Sequence, residues 1–174
     1  MVSSLVLRSL SVAAQGSAYL LTQRSWTSRI GTGFRKWSFS RPRRLVVTSP
    51  ELRAIYTFGV AVQSDWTNGS SYEGVAGEQA ILAGENLEVD APRRLVQSFN
   101  ALWSEDVKAV GTSRVTWEIE PVGDSCRLVV THDQLREGAN DQLYGGWPMI
   151  LSGLKTLLET GEPLTTPGSL RHAV

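Results

Sequence analysis

Few side chains in this 174-residue sequence have the type and spacing for chemistry, and His132 comes first among them. It falls near the end of a predicted strand and is followed by Asp133. A functional reading makes it a general acid/base or a polar anchor at a pocket mouth. Neighbours in a strand point to opposite faces, so His132 and Asp133 form no ready-made dyad. The commoner situation, a strand-end histidine capping a loop, is the favoured one. Cys126 lies beside Arg127, but its strand position and the lack of a histidine nearby in sequence favour a buried, inert thiol.

The remaining candidates would bind rather than react. Phe99, Trp103, Trp117, Trp147 and Leu151 have strand or helix spacing suited to lining an apolar ligand cavity, although such residues more often form plain core. Tyr144 could offer a hydroxyl to a ligand carbonyl or sit at a loop tip. Arg114 could hold a carboxylate head group, against the default of an arginine on a wet sheet face. The sequence has no nucleophile elbow, phosphate loop, dinucleotide fingerprint or metal-spaced histidine pair. No cofactor and no metal centre is expected, because a metal site would need His132 and dispersed carboxylates.

The elements that must position these residues begin at Ser49. Ser49-Pro50-Glu51 reads as a helix start, with a serine cap and proline in the first turn. Leu52, Ile55, Tyr56 and Phe58 supply its apolar stripe. Strands are expected over 60–66, 71–75, 79–89 and 95–103, with turns at Thr67-Asn68-Gly69-Ser70 and Asp90-Ala91-Pro92-Arg93. Residues 104–112 read as a charged loop. The clearest hairpin pairs 114–122 with 126–132 around Gly123-Asp124. Val115, Trp117 and Ile119 share one face there, and Leu128 and Val130 face opposite to Val129 and Thr131. Trp147, Ile150, Leu151, Leu154, Leu157 and Leu158 then recur at helical spacing, and Gly161 and Pro163 stop the helix. An antiparallel sheet covered by one amphipathic helix is an α+β two-layer domain. Curvature of such a sheet around the helix would leave a cavity between them.

Charge divides the chain in two. Residues 1–50 contain no acid and eight basic residues, whereas the rest holds nine bases against seventeen acids, a formal charge of −8. An acidic body argues against nucleic-acid binding by the folded part. No run approaches the roughly 20 apolar residues of a membrane-spanning helix. One cysteine allows no internal disulfide, which suits a reducing, cytoplasmic setting. The organisation expected is a basic segment over 1–48, a domain over 49–164 and a loose tail over 165–174.

Several stretches together resemble a known family. They are Ser49-Pro50-Glu51-Leu52-Arg53 with Tyr56-Thr57-Phe58-Gly59, then Asp90-Ala91-Pro92-Arg93-Arg94-Leu95, Ser113 to Ile119, Leu128 to His132, and Gly145-Gly146-Trp147 through Gly161. In this order they resemble the START-like (SRPBCC, Bet v-type helix-grip) superfamily, in the bacterial, actinobacterial type of the branch homologous to the activator of the heat-shock-protein-90 ATPase. The resemblance implies a curved antiparallel sheet wrapped around a long C-terminal helix. It implies an apolar or amphipathic ligand held between them by Phe99, Trp103, Trp117, His132, Tyr144, Trp147 and Leu151, in a stress-related or regulatory accessory protein rather than an enzyme. Two alternatives stay open: an interaction protein acting on a chaperone, or a cyclase or hydrolase that uses His132. A neighbouring transcriptional repressor is a further partner that the resemblance suggests. The match stops at Thr48 or Ser49. The family's first strand and its Trp-containing helix are not recognisable in residues 1–48, where Pro42 and three arginines oppose a buried helix face. A transit peptide, a basic arm and a shifted frame or early start all fit that acid-free composition; the last is favoured. Loss of the strand would expose a sheet edge, unless residues from 1–48 substitute for it.

Overall fold

The computed structural model describes residues 10–14, 17–21, 47–122, 125–143 and 146–167. Two short strands, β1 (Leu10–Ala14) and β2 (Ser17–Leu21), pair antiparallel as a hairpin. Helix α1 (Pro50–Tyr56) follows, capped by Ser49, whose hydroxyl accepts from the Leu52 N–H at 3.3 Å. Six strands come next: β3 (Val60–Ser64), β4 (Ser71–Ala76), β5 (Gln79–Asp90), β6 (Arg94–Ala101), β7 (Ser113–Val122) and β8 (Ser125–Asp133). They form one antiparallel sheet in the order of the chain. Between β6 and β7 sits a four-residue helix, α2 (Glu105–Lys108), and after β8 come a 3-10 turn (Asp141–Leu143) and helix α3 (Trp147–Thr160).

The α+β helix-grip architecture expected from the sequence is therefore present: a curved antiparallel sheet with a long C-terminal helix. Its curvature has a local cause. Register shifts interrupt β4 at Gly74/Val75 and β5 at Asn86/Glu88, and such bulges bend a strand and increase its twist. At Gly84 the backbone of β6 approaches so closely that a Cβ would lie 2.1 Å from the Ser98 carbonyl oxygen. Only glycine fits there.

The main core lies between the concave face of the sheet, α1 and α3. It comprises Val62, Tyr72, Leu82, Leu95, Val115, Trp117, Leu128 and Val130 from the sheet, Tyr56 from α1, and Trp147, Leu151 and Leu154 from α3. Helix α1 crosses α3 at Gly153, where a Cβ would lie 3.2 Å from the Tyr56 carbonyl oxygen. A second cluster, Ala101, Val107, Leu135 and Leu143, seals one end of the sheet.

Several sequence expectations change. The buried face of α1 carries Arg53 and Tyr56, while Ile55 is exposed, so the inward stripe is only partly apolar. The charged loop over 104–112 contains α2, because Ser104 caps a turn that buries Val107. The strands expected to reach Trp66 and Trp103 end at Ser64 and Ala101. Leu158, at the margin of the α3 stripe, is about one-third exposed (37%).

Within the basic N-terminal segment, β1 lies beside β8, the strand that ends the six-stranded sheet. Leu10–Ala14 thus occupies the flank of that edge. The expectations for the rest of the segment up to residue 46, for the Gly123-Asp124 turn and for the tail beyond Pro167 lie outside the described residues.

Candidate functional site

The alternation that turns Leu128 and Val130 inward also turns Cys126 and His132 inward, since residues two apart on a strand share a face. His132 is completely buried. It is neither a loop cap nor a group at a pocket mouth; it stands in the core beside β7 and the first turn of α3. Its Nδ1 accepts the indole N–H of Trp147 at 3.1 Å, and its Nε2 lies 2.7 Å from the hydroxyl of Ser113. The Ser113 hydroxyl in turn reaches the Phe99 carbonyl at 3.2 Å.

The direction of these bonds decides the chemistry. An indole nitrogen can only donate, so Nδ1 must be bare. Burial depresses the His132 pKa to about 4, against a smaller opposing pull from Asp133, so the ring is neutral at physiological pH. A neutral ring with a bare Nδ1 carries its proton on Nε2, which donates to Ser113, and Ser113 donates onward to Phe99. The Ser113–His132 distance is that of a nucleophile and its base. The proton nevertheless runs from histidine to serine, opposite to what activating the hydroxyl requires. This arrangement holds structure and opposes base catalysis by His132.

Around this chain stands an aromatic wall. Trp147 packs edge-on against Trp117 at 5.4 Å and against His132 at 6.1 Å. Phe99 meets His132 at 5.2 Å and Trp103 at 6.4 Å, again edge to face. Leu151 lies one turn beyond Trp147 on the buried face of α3. Six of the seven residues expected at a ligand site thus form one connected region between sheet and helix, with Trp103 at its outer end in the second cluster. Tyr144 lies outside the described residues.

The charged member of this region, Arg53, is not among the residues expected from the sequence. Arg53 projects from α1 into the core and is only 6% exposed. One guanidinium nitrogen, Nη1, donates to the Val47 carbonyl at 3.1 Å. Its Cζ lies 5.7 Å from the Trp117 ring centroid and 6.0 Å from that of Trp66, so the cation stands between two indole rings. Among the described residues it forms no salt bridge. Two tyrosines near enough to feel its charge do not neutralise it. Burial raises the Tyr56 and Tyr72 hydroxyl pKa values, outweighing the opposite effect of Arg53, and the Tyr72 hydroxyl donates to the Ser98 carbonyl at 2.7 Å.

Two donors in this setting are left over. Among the described residues, Nε of Arg53 and Nε1 of Trp117 are the buried side-chain nitrogens or oxygens with no hydrogen-bond partner. An unmet buried donor costs about 1–3 kcal/mol, more when charged, so such groups are rare in a settled core. Trp66 adds strain. Its backbone lies in the left-handed region (φ 55°), which costs a bulky residue on the order of 1 kcal/mol or more. Ser64 holds it there by accepting the Trp66 N–H at 3.2 Å, and Asn86 anchors that hydroxyl at 2.7 Å.

Arg114, the arginine considered for a head group, is occupied. It makes a two-pronged contact with Asp133 directly across the β7–β8 pair, at 2.8 and 2.7 Å. No group of His, Cys, Asp and Glu among the described residues is arranged to hold a metal ion. No helix among them is long and apolar enough to cross a membrane.

Comparison with known proteins bears out the resemblance read from the sequence. The model of the family described as Activator of Hsp90 ATPase homolog 1-like protein matches residues 45–159, beginning close to the break at Thr48–Ser49. Among solved structures, CalU16 from Micromonospora echinospora superposes with a TM-score of 0.55 at 21% identity, covering 75% of this chain and 72% of that one. PFC0360w, an HSP90 activator from Plasmodium falciparum, gives 0.54 at 20% identity over 66% and 84% of the two chains. MLL2253 from Mesorhizobium loti gives 0.57 at 19% identity over 67% and 85%. Likeness at these identities establishes the fold. Comparison with curated protein sequences gives no match.

Proposed function

We propose, from the premise that this chain belongs to the Activator of Hsp90 ATPase homolog 1-like family, that it binds an amphipathic small molecule between the concave face of its sheet and α3. The observation that carries this reading is the pair of unpartnered buried donors on Arg53 and Trp117. Elsewhere in the same layer polar groups are matched: His132 is bonded at both ring nitrogens, and Asn86 and Gln97 satisfy one another at 2.9 Å. A core built only for stability has no use for two orphan donors beside one another. A ligand with an apolar body and a polar end would meet both demands, its body against Trp117, Trp147, Phe99 and Leu151. In this reading Trp147 and His132 are wall, because their polar atoms are already committed to each other.

Titration with decanol, a simple amphipath, tests the reading through tryptophan fluorescence. The expected result is saturable quenching or a spectral shift that Leu151→Trp, which fills the layer, removes without unfolding the domain. A linear, non-saturating response in the native chain would contradict it.

The relative named as an HSP90 activator supports a second reading, contact with a chaperone. Its test is co-purification with the chaperone coupled to an ATPase assay, and its surface need not involve the buried layer. A nearby transcriptional repressor, also proposed, would be tested by the same capture experiment.

A further inference from the structure

Among the described residues, nothing beside Arg53 balances its charge. We infer that the site selects an amphipathic monoanion, a carboxylic acid whose carboxylate is received by Nε of Arg53 and the indole N–H of Trp117. The inference rests on the ligand-binding reading above and adds the charge and chemical class of the ligand's polar end.

Four observations carry it. Arg53 is more than nine-tenths buried and makes no ion pair among the described residues. The fully buried guanidinium nitrogen without a partner, Nε, belongs to a group whose centre stands 5.7 Å from the ring bearing the other orphan donor. Both orphans are donors, so the partner they lack is an acceptor. The flanking surfaces are the indoles of Trp66 and Trp117, which leave the charge poorly solvated.

Each alternative polar end fits less well. A cation is repelled by Arg53. A neutral carbonyl or hydroxyl could accept one bond but would leave the positive charge buried and unmatched. A dianionic phosphate would bring a second negative charge to a site with one cation and two apolar rings. A carboxylate matches the charge, and its two oxygens can serve two separate donors at once. Arg114 is no competitor for it, being closed by Asp133.

The test is a matched pair of probes, decanoate and decanol, titrated into the full chain at mildly alkaline pH and followed by calorimetry. Wild-type protein should bind decanoate at least about tenfold more tightly than decanol. Arg53→Met should remove that preference by weakening decanoate far more than decanol, and Arg53→Lys should keep part of it. Equal affinity for the two probes in the wild type would overturn the inference and leave the binding reading standing. So would an Arg53→Met protein that retains the full preference. Binding of neither probe would overturn both. The wild-type comparison needs no variant to fold, and near-UV circular dichroism establishes the state of each variant used.

Discussion

The indole N–H of Trp147 points at Nδ1 of His132 from 3.1 Å, and this bond sets the direction of every proton along the chain from α3 to Phe99. Histidine Nε2 donates to Ser113, and Ser113 donates to a carbonyl. Long-range nitrogen–proton NMR should therefore show one His132 tautomer, with the proton on Nε2. A proton on Nδ1 would contradict the arrangement and reopen a catalytic role for Ser113.

The same burial gives a pH signature. His132 has a folded-state pKa of about 4 against an ordinary value of 6.5, so the unfolded chain binds the proton more readily. Its contribution to stability is complete above about pH 6.5 and is lost as pH falls towards about 4. The loss amounts to roughly 3 kcal/mol in all. Urea midpoints measured across that window should fall with acidity, and His132→Gln should flatten the slope. A wild-type slope matched by His132→Gln would assign the effect to other groups.

Trp147→Phe keeps an aromatic ring but strands the bare Nδ1 of His132 in the core. A cost of about 1–3 kcal/mol is expected from the unmet acceptor. Ser113→Ala should cost a similar amount by orphaning Nε2–H, and should leave decanol binding unchanged. A double-mutant cycle between Trp147 and Ser113 should show coupling, since both bond one ring. Additive losses would mean that His132 does not connect them.

Arg53 should behave in the opposite way. A buried cation without a counter-charge is a burden to folding that function can retain. Arg53→Met, similar in shape and apolar, should raise stability by about 1–3 kcal/mol despite losing the bond to Val47. Chemical denaturation provides the check. A clear loss of stability would mark Arg53 as structural.

Gly84 tests the geometry of the sheet. Alanine there would drive its Cβ to 2.1 Å from the Ser98 carbonyl, a backbone atom that cannot step aside. Gly84→Ala should cost about 3 kcal/mol or more, or prevent folding, as judged by soluble yield and circular dichroism. Near-native stability would mean that β5 and β6 are less closely apposed.

Much of the fold was legible because its signals are periodic. The alternation through Val115, Trp117 and Ile119, and the helical stripe through Trp147, Leu151 and Leu154, each identified an element and its buried face. The site was less legible because its polar members look like surface residues in a sequence. Arg53 was overshadowed by Leu52 and Ile55, although Ser49-Pro50 fixes the helix start and Arg53 lies three residues before Tyr56, on one face. Asn86, Gln97 and Ser113 are likewise buried polar residues that no hydrophobic pattern marks. His132 was within reach: the period that places Leu128 and Val130 inside places it there too. The favoured loop-capping role put strand-end habit ahead of that period.

The most direct test of the binding account is to follow the assigned indole N–H resonances during a decanoate titration. Tryptophan-to-phenylalanine variants identify the signals of Trp117 and Trp147. A large, saturable downfield shift is expected for Trp117, as its unpartnered N–H gains a carboxylate, and little movement for Trp147, whose N–H already belongs to His132. A Trp117 resonance that stays in place while decanoate saturates the protein, or a larger shift at Trp147 than at Trp117, would contradict it.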